Sequence, residues 1–197
     1  MKQINSNTLL ELLQSDVREI LLECAALQNA NQSLLTQQPQ PDKWSVAQVL
    51  EHLNIYSRYY ITAIEEKLHL NQSGPNQNFT PGWLGNYFTN LMKPTEEKKL
   101  KSKMKAPANA VPSAQPDAVE MLNEFISHQH HLLNLLQIAR SANLDYNRIS
   151  ISLTKLIKLK LGDTFCFFIA HEQRHFLQIE NILKQFEQSR LSDLSAA

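Results

Sequence analysis

Two histidines, His171 and His175, are the residues whose type and spacing most clearly permit chemistry. Positions i and i+4 lie one turn apart on one face of a helix, so both imidazoles can reach the same metal ion. Phe168, Gln178 and Ile182 fall on the same face, which is therefore expected to point into the protein. Two buried histidines need partners for four ring nitrogens, and one metal ion would serve both side chains. The pattern predicts a metal-ligand pair, with purely structural or surface histidines as the alternative.

The run that begins at His171 also matches the H-E-x-x-H pattern of zinc proteases, in which Glu172 would act as the general base. The extended form of that motif places Gly and His where this chain has Gln178 and Asn181. A zinc protease is therefore only a minor alternative. If there is a third ligand, it must come from an upstream part of the chain.

His52 is the best candidate for that third ligand. It lies in a helix whose start is well marked, because Ser45 and Gln48 have the spacing of a capping box. His52 shares an apolar face with Tyr56, so it is expected to point inward. If the two histidine-bearing helices are parallel, the ligands can meet with the helix starts level. If they are antiparallel, the helices must be staggered by about two turns.

Apolar residues at three- and four-residue steps predict four long helices, over residues 6–30, 45–70, 117–140 and 162–188. The prolines and glycines of residues 71–116 predict a long connection, with a short amphipathic helix from Trp83 to Met92 and a solvated lysine-rich loop over 96–105. Residues 141–161 are expected to form an irregular link with an extended piece over 149–153. Residues 189–197 are expected to form a loose tail.

These helices predict an all-α fold, a four-helix bundle in a single domain over residues 1–197 with its core at about 6–188. The connection over residues 71–116 is long enough to run the length of the bundle, so it permits a crossover instead of a simple up-down hairpin. Lys+Arg and Asp+Glu balance at 19 each, so nothing indicates binding to nucleic acid. No apolar run is long enough to span a membrane, and the N-terminus does not resemble a signal peptide. Cys24 and Cys166 suggest no disulfide framework, which favours a cytoplasmic protein with reduced thiols.

Taken together, these motifs resemble those of the DinB-like (YfiT-like) superfamily. The resemblance extends over nearly the whole chain and rests on the order of Trp44, Ser45, His52, His171, His175, Gln178 and Ile179. It implies a four-helix bundle with a crossover and a divalent metal ion held by the three histidines. The metal expected first is zinc, with nickel, iron or manganese as alternatives. The superfamily includes metal-dependent hydrolases and bacterial transferases that use low-molecular-weight thiols such as bacillithiol or mycothiol.

The resemblance thus predicts a metal-dependent hydrolase or thiol S-transferase that acts on a small molecule. Three neutral imidazoles leave metal positions open for a water or a thiol, whose pKa the metal would lower. Glu51 and Glu172 are the candidates for general base or for orienting a ligand, with exposed surface glutamates as the alternative. Tyr56, Arg174 and Gln178 are candidate pocket residues, with a core position as the alternative for Tyr56 and a surface position as the alternative for Arg174.

A noncatalytic bundle is the alternative function. It would keep a metal site for stability, or bind a partner through the segment from Trp83 to Met92. Bundles often pair through an exposed apolar stripe, so a homodimer also stays open, but the sequence does not identify the face.

Overall fold

A computed structural model describes residues 2–70, 73–95, 99 and 104–195 of the protein, and the described chain is mainly helical. Its helices are α1 (Ser6–Gln28), α2 (Gln32–Thr36), α3 (Val46–His69), α4 (Trp83–Met92), α5 (Ala118–Ile138) and α6 (Leu161–Ser195). Its strands are β1 (Ile4–Asn5), β2 (Asn78–Phe79), β3 (Arg148–Ile151) and β4 (Thr154–Lys160). β1 pairs antiparallel with β2, and β3 with β4. Short 3₁₀ turns cover Ala108–Ala110 and Ala139–Ser141.

Side-chain contacts show that α3 and α5 run in the same direction. Arg58 pairs with Glu124 at 2.6 Å, and Glu65 lies 3.1 Å from His131 further along both helices. Two neighbouring parallel helices cannot be joined by a short hairpin loop, so the chain must return along the bundle between them. The described parts of the connection, residues 73–95 and 104–116, agree with this return: Gly82 bonds to the start of α6, and Ser113 bonds to the first turns of α3. The predicted crossover is confirmed.

α3 and α6 run in opposite directions. The ring of Tyr56 lies 4.5 Å from that of His171, whereas Tyr60, one turn further along α3, packs 5.3 Å from Phe168, which lies earlier in α6. This arrangement places the second and third turns of α3 opposite residues 171–175 of α6. Of the two arrangements considered for the histidines, the antiparallel, staggered one is correct.

α1 completes the bundle by packing against α5 and α6. Its direction is opposite to that of α5, because Glu11 contacts Arg140 while Gln14 contacts Gln137. α1 and α6 therefore run one way, and α3 and α5 the other. The all-α four-helix bundle predicted from the sequence is confirmed.

The bundle core consists of two apolar clusters. One surrounds Tyr60, Phe165 and Phe168, and the other surrounds Phe125 and Phe176. Along α3 and α6 the boundary between the clusters falls at the histidines. The layer between two well-packed apolar regions is thus the polar layer that carries the candidate site.

The long connection is attached to the start of α6. The backbone N–H of Gly82 donates to both carboxylate oxygens of Asp163, at 2.9 and 3.1 Å. α4 packs so closely there that a Cβ on Gly85 would lie 2.2 Å from Cγ of Asp163. Glycine is therefore required at position 85 for this close approach.

Several helix boundaries match the sequence predictions. The capping box of α3 is formed, because Gln48 N–H donates to Ser45 Oγ at 3.2 Å and Ser45 N–H donates to Gln48 Oε1 at 3.0 Å. The short helix from Trp83 to Met92 is present as α4. Most of the lysine-rich stretch 96–105 lies outside the described residues.

One prediction about local structure is correct only in part, and another is wrong. The extended piece expected over 149–153 overlaps β3, but residues 141–161 are more regular than an irregular link, because β3 forms a hairpin with β4 in which Ile149 pairs with Leu159 and both are buried. The predicted loose tail instead continues α6 as far as Ser195. The sequence has no Gly or Pro after Gly162, so it contains no strong signal to end that helix.

Within the described residues, no helix combines the length and the apolar character that crossing a membrane requires.

Candidate metal centre

The fold brings His52, His171 and His175 together. One candidate ligand atom from each side chain lies within 4.8 Å of the other two. The ring centroids are separated by 4.6 Å for His171 and His175, 4.7 Å for His52 and His175, and 5.4 Å for His52 and His171. The pair comes from successive turns of α6, and the third ring comes from the antiparallel α3.

Burial keeps all three imidazoles in their neutral form. His52 and His171 are 3% and 4% exposed, and His175 is half-buried. Desolvation lowers the pKa of His52, brings that of His175 to about 3, and lowers that of His171 well below its ordinary value. The neighbouring histidines and Arg174 lower the pKa of His171 further. Neutral imidazole is the form that binds metal ions, so the site is ready to accept a cation near pH 7.

Two of the rings are oriented by hydrogen bonds. His52 Nδ1 lies 2.6 Å from the carbonyl oxygen of Ala110, and His175 Nδ1 lies 3.0 Å from Gln178 Oε1. Both partners are oxygen acceptors, so Nδ1 is the protonated nitrogen and donates in each case. Nε2 of both rings is then left with a free lone pair for a ligand.

His171 lacks such a bond on Nδ1. That nitrogen is buried and has no hydrogen-bond partner among the described residues. A buried polar atom without a partner is costly, and a bound cation is one way to satisfy it. Within the described part of the chain, no carboxylate or cysteine joins the three histidines at this separation. The residues present thus fit a divalent metal ion bound by three neutral nitrogens.

Glu172, a predicted catalytic residue, points toward α5. Its Oε1 accepts a hydrogen bond of 2.8 Å from Gln129 Nε2, and its side chain is fully buried. Burial raises the pKa of Glu172 to about 8, with the Gln129 bond acting in the opposite direction. These contacts favour a protonated core residue, and the catalytic role stays a prediction. They give no support to the protease alternative, which needs this carboxylate beside the metal.

Glu51, the other predicted carboxylate, holds the segment that follows the 3₁₀ turn at Ala108–Ala110. Its Oε2 accepts hydrogen bonds from Ser113 N–H at 2.7 Å and from Ser113 Oγ at 2.9 Å. These contacts favour an orienting function, and catalysis by Glu51 stays a prediction.

The predicted pocket residues lie around the histidines. The ring of Tyr56 packs 4.5 Å from His171 and 5.0 Å from His52, and burial raises its pKa. Arg174 is buried, and its charge acts on His171 and His175. Gln178 orients His175, as described above.

Sequence reasoning missed several neighbours of the site. Trp44, which was not among the predicted site residues, places its ring 5.0 Å from that of His52. A cleft of about 180 Å³ borders the site and is lined by Ile55, Tyr56, Tyr59, Asn109, Ala110 and Ser152. The partner that Ala110 offers is a backbone carbonyl, which every residue type possesses, so no sequence signal could have identified it. A second cleft of about 200 Å³, between α1, α2 and α5, has no histidine in its lining.

The other histidines lie outside this site. His128 contacts Glu124 at 3.2 Å, and His131 contacts Glu65 at 3.1 Å. α4 exposes Trp83 and Tyr87 by 71% and 56%, and its predicted role in binding a partner stays a prediction.

Comparisons with known proteins give one family and one solved structure. The family model of the DinB superfamily matches residues 15–179. A solved structure similar to this chain is that of YfiT from Bacillus subtilis, described as a probable metal-dependent hydrolase with an unusual four-helix bundle topology. The two chains are 14% identical with a TM-score of 0.49, and the match covers 92% of this chain and 86% of the other. No curated protein matches this sequence.

Proposed function

This chain belongs to the DinB superfamily, and from the three histidines that its bundle brings together we infer that it is a metal-dependent enzyme. We propose a hydrolase or a low-molecular-weight-thiol S-transferase that acts on a small molecule. The single observation that carries the proposal is the cluster of His52, His171 and His175, of which the first two are buried and the third is half-buried. A bundle built only for stability would have little reason to bury three imidazoles in contact, because each nitrogen needs a partner.

The donor set favours particular metals. Neutral imidazole nitrogens suit zinc, nickel and iron, whereas manganese prefers oxygen ligands. We therefore propose zinc first, with nickel and iron as alternatives and manganese as the least favoured. When bound, such an ion supplies a Lewis acid that lowers the pKa of a coordinated water or thiol.

The chain's own residues would prepare that site in three ways. His52 and His175 present Nε2, because their Nδ1 protons are held by Ala110 and Gln178. The rings of Tyr56 and Trp44 pack beside His52 and shield the histidines from bulk water. Exclusion of water strengthens electrostatic interactions inside the site. Arg174 adds a positive charge near the ligands, which favours an anionic group in a substrate.

Metal content of the purified protein tests the proposal. The protein should be purified without a histidine tag, supplied with zinc, nickel, iron or manganese, and analysed by inductively coupled plasma mass spectrometry. We expect about one ion per chain, and His52→Ala or His171→Ala should lose it. His131→Ala is the matched control, because His131 lies at the outer contact with Glu65 and should leave the content unchanged. Absence of stoichiometric metal, or full retention in His171→Ala, would contradict the proposal.

Turnover distinguishes the two reaction types. The metal-loaded protein should be assayed with ester and amide substrates, and separately with a low-molecular-weight thiol and an aryl halide. In the second reaction the sulfur–carbon bond forms, halide leaves and the thiol proton passes to solvent. Loss of either activity in His171→Ala would assign it to the site.

A noncatalytic metal site is the second candidate. The three histidines join α3 to α6, so a bound ion would link two helices of the bundle. That function predicts a higher melting temperature with metal and no turnover in either assay.

The homodimer stays a prediction, which sedimentation of the metal-loaded protein would test.

A further inference from the structure

We propose that Glu51 is a positioning residue for the metal centre. It fixes residues 107–116 against α3, so that the carbonyl group of Ala110 holds His52 in the tautomer that leaves Nε2 free. The inference rests on the proposed function, because it concerns the same histidines, but one of its tests uses the protein without metal.

His52 contacts the backbone of the long connection at Ala110. Ala110 is 2% exposed, and its carbonyl oxygen lies 2.6 Å from Nδ1 of His52. The 3₁₀ turn at this point is closed by the Ala110 N–H, which donates to the carbonyl oxygen of Pro107 at 2.9 Å. The orientation of His52 therefore depends on where the backbone of this turn lies.

Side chains of α3 hold the backbone that follows this turn. Three residues after Ala110, the N–H and hydroxyl of Ser113 both donate to Oε2 of Glu51. Gln48 adds bonds from its Nε2 to the carbonyl oxygens of Ser113 at 3.0 Å and Ala114 at 3.3 Å. Glu51 directly precedes His52, so the same helical turn that presents the ligand also holds the segment that orients it.

Two residues lie between Ala110 and Ser113. Val111 is 54% exposed and Pro112 is buried, so apolar burial of Pro112 and the hydrogen bonds from α3 hold this part of the segment together. Hydrogen bonds to a carboxylate are stronger than those between neutral groups. Glu51 accepts two such bonds from Ser113, so it is the charged attachment of this part of the segment, beside the two neutral bonds from Gln48.

Zinc affinity measured in the full-length protein tests the inference. Glu51→Ala should weaken zinc binding by about 10- to 100-fold, the range that follows loss of a group orienting a metal ligand. Glu51→Gln should restore most of the affinity, because its amide oxygen can still accept from the Ser113 N–H. If Glu51 acts only through its negative charge, Glu51→Gln should bind as weakly as Glu51→Ala, and that result would overturn the proposal. Unchanged affinity in Glu51→Ala would overturn it as well.

The tautomer of His52 in the metal-free protein provides the second readout. Imidazole ¹⁵N shifts from NMR should show a proton on Nδ1 in the wild type and a mixture of tautomers in Glu51→Ala. This measurement remains decisive if the wild type binds no metal, an outcome that would remove the proposed function alone. An unchanged tautomer in a folded Glu51→Ala variant would overturn the positioning role.

Ser113→Ala is a milder variant that tests the same attachment if Glu51→Ala does not fold. Ser113→Ala removes one of the two hydrogen bonds to Glu51 and should lower zinc affinity by less than Glu51→Ala does. Circular dichroism would establish that each variant is helical before its affinity is compared. If Glu51→Ala does not fold, wild-type affinity and tautomer in Ser113→Ala would count against the proposal.

Discussion

The carbonyl oxygen of Ala110 lies 2.6 Å from Nδ1 of His52, and 58 positions separate the two residues in the chain. One belongs to the long connection and the other to α3. The connection therefore does more than return the chain along the bundle, because it supplies the oxygen that selects the tautomer of a candidate ligand. The orientation of His52 in the candidate site thus depends on the path of the crossover connection.

Zinc should stabilise the folded protein. A ligand that binds only the native state at 100 times its Kd raises the free energy of unfolding by about 2.7 kcal/mol. Thermal denaturation with and without zinc would measure the shift in Tm, which should vanish in His171→Ala. His131→Ala should keep it. An equal shift in the wild type and His171→Ala would place the bound zinc elsewhere.

Glu172→Gln should fold and bind metal as the wild type does. Gln129 can still donate to an amide oxygen at position 172, and the volume of the side chain is preserved. If turnover is found, this variant should retain most of it. A general base typically contributes about 10²- to 10⁴-fold, so a loss of that size would support the catalytic role predicted from the sequence.

Asp163→Asn should alter the pH dependence of stability. Burial raises the pKa of Asp163 from 3.8 to about 6, although the Gly82 bond, Lys160 and Arg148 act in the opposite direction. The folded state thus binds this proton more tightly than the unfolded state does. Protonation of Asp163 therefore stabilises the folded state. This contribution to the free energy of unfolding is fully present below pH 3.8, is lost as the pH rises through about 6, and amounts to at most about 3 kcal/mol.

The asparagine variant can accept the Gly82 N–H without carrying a buried charge. At pH 7.5 it should be more stable than the wild type, and at pH 4 the advantage should shrink. Urea denaturation of both proteins at the two pH values would measure the difference. An advantage that does not depend on pH would show that ionisation of Asp163 is not its source.

Gly85→Ala should destabilise the protein by about 1–3 kcal/mol, the usual cost of forcing an extra group into a packed contact. The new Cβ would lie 2.2 Å from Cγ of Asp163, so α4 would have to move away from α6. Gly74→Ala is the control, because no atom lies within 4 Å of a Cβ built there. Chemical denaturation would compare them, and equal stability of the two variants would contradict the close packing.

The sequence was sufficient to predict features that depend on local patterns. Spacing at i and i+4 paired His171 with His175, and the capping box of Ser45 marked the start of the helix that carries His52. Apolar periodicity located the four long helices. The extended piece over 149–153 was predicted in part, but its pairing in a hairpin was missed, because the Ser152-Leu153 turn lacks the Gly or Asn that usually marks one. The end of α6 was predicted wrongly, because the tail lacks a residue that stops a helix.

Tertiary structure alone decided how those parts meet. The antiparallel stagger of α3 and α6 places His52 beside His171 and His175, and the sequence was compatible with either direction. The same packing turned Glu172 toward Gln129 and Glu51 toward Ser113, although both glutamates adjoin a histidine in the chain. Helical periodicity states which residues share a face, but the partner of that face depends on contacts between residues far apart in sequence. The backbone carbonyl of Ala110 is the clearest case, since its chemistry is common to every residue and only its position makes it specific.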